Sequence, residues 1–133
     1  MEINLKNHEV LNAMQSIKQL LQVEDTKFPV KTRWNLMKNM KKFESVYKTF
    51  SEMEFNLLKQ YALKDGDNEI VLDEQNNPKF SPKSKTEYLL KHTELLNCEN
   101  QVDLLSVDLS DLEGFVPQGE ILYHLEFMIN EDN

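Results

Sequence analysis

The chain has 133 residues, 40% of them hydrophobic, which is enough for one domain with a modest core. It has no apolar run of about 18 residues, and its first residues lack the basic and apolar regions of a secretory signal, so we expect neither a transmembrane helix nor export. A single cysteine, Cys98, excludes an intramolecular disulfide and suits a reducing cytoplasm.

The formal net charge of -8 is spread unevenly along the chain. All 15 Lys and Arg residues lie at or before Lys91, whereas residues 92–133 hold ten acids and no Lys or Arg. A basic region is expected at the front of the longest helix, formed by Lys27, Lys31, Arg33, Lys38, Lys41, Lys42 and Lys48. The sequence therefore predicts a basic region and an acidic C-terminal part.

In chain order, the alternation in residues 2–6 predicts a short half-buried strand. Asn7 is a suitable N-cap for a first helix that extends to about Gln22. Pro29 then fits the first turn of a second, long helix over about 30–63, because no Gly or Pro interrupts that segment.

The long helix carries large apolar residues at a mean step of about 3.4, close to a coiled-coil repeat. They are Val30, Trp34, Met37, Met40, Phe43, Tyr47, Phe50, Met53, Leu57 and Tyr61. Such a helix would be about 50 Å long, against a radius of gyration of about 14 Å for a compact chain of this size. We expect this stripe to be covered by the rest of the chain, by a partner or by a second copy.

The second half of the chain alternates turn clusters with short elements. We expect a hairpin over 69–80, and a third helix over about 85–97 for which Ser81 and Ser84 are competing caps. In residues 101–109 the apolar alternation slips by one place, which indicates a bulge or a strand end. A tight turn or one helical turn closed by Gly114, and a last helix beginning at Pro117, complete the expected elements, and we find no internal repeat.

The expected fold class is α+β, in a single domain over 1–133. It has one long central helix, three shorter helices and a small antiparallel sheet or hairpin, drawn from residues 2–6, 69–80 and 101–109. The acidic C-terminal part covers about 92–133.

Several segments together resemble a known group of proteins. They are the short strand ending in LKN, the FPV entry to a Lys-rich helix, the D-G-x-x-E-I-x-x-D-E-x-x-N-P-K-F hairpin, S-D-L-E-G, and L-E-F-M-I. The chain resembles small uncharacterised proteins of tailed phages and prophages of low-GC Gram-positive bacteria. The resemblance implies a bacteriophage origin and a host-cytoplasm or virion-assembly setting, and it brings no catalytic residues.

No residue pattern predicts a catalytic, cofactor or metal site. His8, His92 and His124 lack metal-ligand spacing, and an ordinary buried thiol is expected at Cys98. Asp65 and Asp67 lack the order of a calcium loop, which favours a solvated turn. We therefore expect a protein that is not an enzyme and has no cofactor.

The predicted function is a phage-type interaction protein, oligomeric through its long helix, whose partner is a second copy or a host protein. The partner-binding stripe is Trp34, Met37, Met40, Phe43, Tyr47 and Phe50, as core or interface. The alternative is an acidic inhibitor that occupies the basic groove of a host nucleic-acid-binding defence enzyme through Asp103, Asp108, Asp111 and Glu113. Direct nucleic-acid binding is disfavoured by the net charge, and no membrane contact is expected.

Overall fold

The computed structural model describes residues 1–22, 28–112 and 119–130. The chain divides into two compact units: unit 1 is Met1–Tyr47 with Glu99–Asn133, and unit 2 is Lys48–Cys98. One helix, α2 (Val30–Tyr61), passes through both units, and the division falls between Tyr47 and Lys48. The predicted long helix over 30–63 is therefore confirmed to within two residues at its end.

Unit 1 begins with a strand and a helix that are both anchored by the later part of the chain. Strand β1 (Glu2–Lys6) pairs antiparallel with β2 (Glu99–Asp103), and helix α1 (Asn7–Leu21) follows directly. The N-cap of α1 is Lys6, whose backbone N–H donates to the Glu9 carboxylate at 2.9 Å. The expected N-cap, Asn7, is instead a buried first helical residue, because its Oδ1 accepts a hydrogen bond from the Asn100 side chain.

The remaining elements of unit 1 are short. Strand β3 (Val107–Asp108) pairs in parallel with β4 (Ile129–Asn130), and α4 (Leu109–Leu112), α5 (Gly119–His124) and a 3₁₀ helix (Glu126–Met128) lie between them in sequence. The slip predicted within 101–109 is a strand end, since β2 stops at Asp103 and β3 starts at Val107. Gly114 and Pro117, on which two of the expected boundaries depended, lie outside the described residues.

The hydrophobic core of unit 1 draws on nearly every element. Its largest fully buried side chains include Phe43 and Leu36 from α2, Ile17 from α1, Leu112 from α4 and Met128 from the 3₁₀ helix. Because residues from both ends of the chain meet on the first half of α2, that half is held in place by the core it carries.

Unit 2 contains the second half of α2 and helix α3 (Pro82–Leu96). Of the two competing starts for α3, the structure uses the first: Ser81 Oγ accepts from the Ser84 N–H at 3.3 Å, and Pro82 occupies the first helical position. The buried apolar residues described in this unit are Phe50, Ala62 and Leu95.

Residues 63–79 of unit 2 form two turns of the same design. In the first, Asp65 Oδ1 accepts the N–H groups of residues two and four places on, at 2.9 and 3.1 Å, and Asn68 has φ 63°. In the second, Asp73 does the same at 2.8 and 2.9 Å, and Asn76 has φ 65°. Asn tolerates this left-handed conformation, so Asp-x-x-Asn at 65 and 73 is an eight-residue repeat that sequence analysis missed.

The predicted hairpin is thus the second half of a three-segment meander, which antiparallel bridges close between Lys64 and Ile70 and between Leu72 and Pro78. In the described chain these residues bond within 63–79, so they do not join residues 2–6 and 101–109 in one sheet as expected: in unit 1, β1 pairs with β2, and β3 pairs with β4.

The fold class, α+β with one long helix, shorter helices and a small antiparallel sheet, is confirmed. None of the described helices combines the length and apolar character needed to cross a membrane.

Candidate protein-binding face

In unit 1, α2 turns one face to the core. Thr32, Leu36, Asn39 and Phe43 are all buried, and their steps of four, three and four residues follow the helical period. Two of these four residues are polar, so a search for large apolar residues does not identify the core face.

The six residues of the predicted stripe do not share that face. Phe43 and Phe50 are buried and Met40 packs against the core, whereas Trp34, Met37 and Tyr47 are 59%, 49% and 45% exposed. These six residues therefore do not form one stripe on a single face of α2, and the reason is geometric. The five steps between these six residues average about 3.2 residues, so in a helix of 3.6 residues per turn the set rotates by about 40° per step and passes from one side of α2 to the other.

Opposite the core face lies what we call the α2 exposed face: Val30, Trp34, Met37, Lys38 and Lys41. Val30, Trp34 and Met37 follow the steps of a helical surface, and Val30 is 86% exposed. The Lys38 ammonium lies 5.3 Å from the centre of the Trp34 ring, a cation–π contact at the surface. Apolar and basic side chains are therefore interleaved on one side of this helix.

On the core side, α2 holds the 103–111 segment through polar contacts. Asn39 is fully buried, and its side-chain amide pairs with the Leu105 backbone in both directions: Nδ2 donates to the carbonyl at 2.8 Å and Oδ1 accepts from the N–H at 2.9 Å. Three more side chains of α2 donate to the same segment: Thr32 to Asp111 Oδ2, Asn35 to Ser106 O and Lys42 to Asp103 O.

The acidic residues of the alternative hypothesis have intramolecular partners. Asp103 receives the N-terminal ammonium at 2.7 Å, and this hydrogen bond, the charge of the same ammonium and the charge of Lys42 lower the pKa of its carboxyl. Asp111 accepts from Thr32, and Asp108 accepts from the Asn130 amide at 3.2 Å. Glu113 lies outside the described residues. Asp103 and Asp108 remain exposed, but they lie in separate strands that do not pair with each other.

The histidines are placed apart. His92 contacts Glu54 at 2.7 Å and stacks on Tyr88, whose pKa is raised by burial and by the charge of Glu54. His124 faces Glu120 at 3.7 Å in unit 1.

Cys98 is exposed and its Sγ contacts Glu94 O, so the expectation of a buried thiol is wrong. Its position after the end of α3, rather than on the core face of that helix, explains the exposure. Among the described residues, no group of three or more His, Cys, Asp or Glu side chains could hold a metal ion.

A scan against protein-family models, a search of curated proteins and a search of solved structures each found no match. Among the described surfaces, the α2 exposed face combines three exposed apolar side chains with two exposed lysines. Sequence analysis placed Val30, Trp34 and Met37 in one apolar stripe and placed Lys38 and Lys41 in the basic region of the helix, but it did not place the two sets on the same face.

Proposed function

We propose that this protein is a phage-type, non-enzymatic interaction protein that binds an acidic surface of a protein partner through the α2 exposed face. The observation that carries the proposal is Trp34: this ring lies 59% exposed between Val30 and Met37, on the side of the helix opposite the core. Trp and Met are enriched at protein interfaces, where burial of such residues supplies much of the binding energy.

Charge favours an acidic partner. Residues 26–43 contain six Lys and Arg and no Asp or Glu, although unit 1 as a whole has 8 basic and 14 acidic residues. Lys38 and Lys41 are exposed beside the apolar residues, so a partner that buries Trp34 must also meet these two charges. An acidic rim around an apolar contact satisfies both requirements.

Two sources of such a surface are consistent with the charge layout. A second copy of this chain is one, because residues 92–133 hold ten acids and no Lys or Arg. A host protein is the other, and the resemblance to phage proteins supports the host cytoplasm as the setting. The inhibitor hypothesis has less support, because Asp103, Asp108 and Asp111 already have partners within the chain.

The proposal can be tested by a photo-crosslinking amino acid placed at Met37, next to Trp34 on the exposed face. In a Gram-positive host we expect a crosslink to a protein, and the crosslinked peptide should be rich in Asp and Glu. The charge reversal Lys38→Glu with Lys41→Glu should remove the crosslink, because it replaces attraction to the acidic rim by repulsion.

Each single reversal, Lys38→Glu or Lys41→Glu, should weaken the crosslink, and its matched control is Lys18→Glu, which makes the same charge change at an exposed position of α1 in the same unit. It should leave the crosslink intact. A product of twice the chain mass would identify a second copy as the partner. Crosslinks to nucleic acid or lipid, or a protein crosslink that survives the reversal, would contradict the proposal.

A further inference from the structure

A cleft of about 350 Å³ lies in unit 1, within the size range of small-ligand pockets. β1 and the first turns of α1 line one side, and α5 with the 3₁₀ helix lines the other. Its described lining residues do not belong to α2, so this cleft is separate from the α2 exposed face.

The charged lining of the cleft is acidic. Glu9 on α1 and Glu126 on the 3₁₀ helix contribute carboxylates from different elements, and the described lining residues include no Lys or Arg. His8 and His124 also line the cleft, and their ring nitrogens add hydrogen-bonding groups to the two carboxylates. This balance favours a cation over an anion.

One of the carboxylates is already held in place. The Lys6 N–H donates to Glu9 Oε1 at 2.9 Å, which fixes this side chain at the start of α1. An ionised carboxylate has about four acceptor positions, so this single bond leaves capacity for a ligand donor. The Glu9 charge also offsets the positive end of the helix dipole, which would otherwise attract anions.

Aromatic rings and apolar side chains complete the lining. Tyr123 is 69% exposed at the cleft, and Phe127 is fixed by an edge-to-face contact with Phe43 at 6.4 Å. Such rings attract cations through their faces. Ile3, which is partly buried, adds an apolar surface on which an alkyl chain can lie.

We propose that this cleft binds an alkyl guanidinium or ammonium group, with Glu9 and Glu126 as the acceptors, Tyr123 and Phe127 beside the cationic group, and Ile3 beside the alkyl chain. The source of that group is either the Arg or Lys side chain of a peptide or a free organic amine. A second cavity of about 140 Å³ shares Asn12 and His124 with the cleft and is lined by Gln15 and Gln19. Side-chain amides both donate and accept, as recognition of a peptide backbone requires, which favours the peptide source.

The test is an NMR titration of the full chain with three probes: agmatine, the blocked peptide acetyl-Gly-Arg-Gly-amide, and inorganic phosphate. Agmatine and the peptide should shift the amide signals of His8, Asn12 and Phe127. Tighter binding of the peptide would identify the peptide source, and equal or tighter binding of agmatine would identify a free amine. No shift with either cation, or an equal response to phosphate, would overturn the proposal.

Substitutions of the two carboxylates test whether they bind the cation. Glu9→Gln with Glu126→Gln should weaken agmatine binding roughly tenfold, since each charge contact at or near the surface contributes a modest factor. Gln also serves at the third position of a capping box, so α1 keeps its start. If the double variant fails to fold, Glu126→Gln alone, at an exposed position, should still weaken binding about threefold.

The matched control is Glu99→Gln, an equal charge change on β2 in the same unit, outside the lining of the cleft. It should leave the affinity for agmatine unchanged. If Glu99→Gln weakened binding as much as Glu126→Gln, the effect would be one of net charge and the assignment of the cleft would fail.

Discussion

At the scale of single residues, Asn39 determines where the segment after β2 lies. Its buried amide makes both hydrogen bonds of the Leu105 backbone at 2.8 and 2.9 Å. We expect Asn39→Ala to lower the free energy of unfolding by about 1–3 kcal/mol, because it removes both bonds and leaves partly buried backbone groups without these partners. Urea denaturation followed by circular dichroism measures this change.

Asn35→Ala is the matched control for that experiment. It lies one helical turn earlier on α2, and its amide donates one exposed hydrogen bond, to Ser106 O at 3.1 Å. Both variants gain the same helix propensity, so the difference between them isolates the Asn39 contacts. We expect Asn35→Ala to stay within about 0.5 kcal/mol of the parent. If both variants lost the same free energy of unfolding, the hydrogen bonds between Asn39 and Leu105 would contribute no more to stability than the exposed bond of Asn35.

At the scale of elements, the two turns of unit 2 depend on Asn residues in the left-handed region. Asn76 has φ 65°, where Gly meets no steric penalty and Ala is disfavoured by about 1–2 kcal/mol. We therefore expect Asn76→Ala to be less stable than Asn76→Gly by about 1 kcal/mol. Hydrogen exchange of the Lys79 amide, which bonds to Val71 O across the second turn, reports on this stability.

The neighbouring residue Asn77 supplies the control, since its φ lies outside the left-handed region. There the order should reverse, with Asn77→Gly no more stable than Asn77→Ala, because Gly only adds freedom to the unfolded chain. The same order at both positions would mean that the backbone conformation of Asn76 does not limit the turn.

The elements also show which features a sequence can predict. The extent of α2 was predictable because residues 30–61 contain no Gly or Pro. Its orientation was not, because a search for large apolar residues selects Trp34 and passes over Thr32 and Asn39 on the core face. Those two polar residues are buried against Asp111 and Leu105, which are distant in sequence. The local spacing of apolar residues gives no information about partners that are so distant in the chain.

The candidate sites also differ in whether local sequence or long-range packing determines them. Val30, Trp34 and Met37 stood out by residue type, so the three apolar residues of the α2 exposed face could be named from the sequence. The cleft could not, because Glu9 and Glu126 are far apart in the chain, and each alone is an ordinary surface carboxylate. Only the packing of the two ends of the chain into unit 1 brings them to one cavity.

At the scale of the whole molecule, the two units differ in the size of their described cores. The core cluster of unit 1 contains 15 buried hydrophobic residues, and unit 2 has three among its described residues. Unit 2 comprises 51 residues, a size at which a hydrophobic core alone supplies little stability. The prediction of a single domain over 1–133 can therefore be tested by measuring whether the two units unfold together or separately.

We expect them to open separately, with unit 2 the less stable. Native-state hydrogen exchange should give lower opening free energies for α3 amides than for α1 amides, since exchange protection follows local burial. Leu95→Ala, in the core of unit 2, should lower α3 protection by about 2 kcal/mol or more and leave α1 unchanged. Leu20→Ala, in the core of unit 1, should lower the protection of α1 instead. If either substitution lowered the exchange protection of both helices equally, the chain would unfold as one cooperative domain, as the sequence predicts.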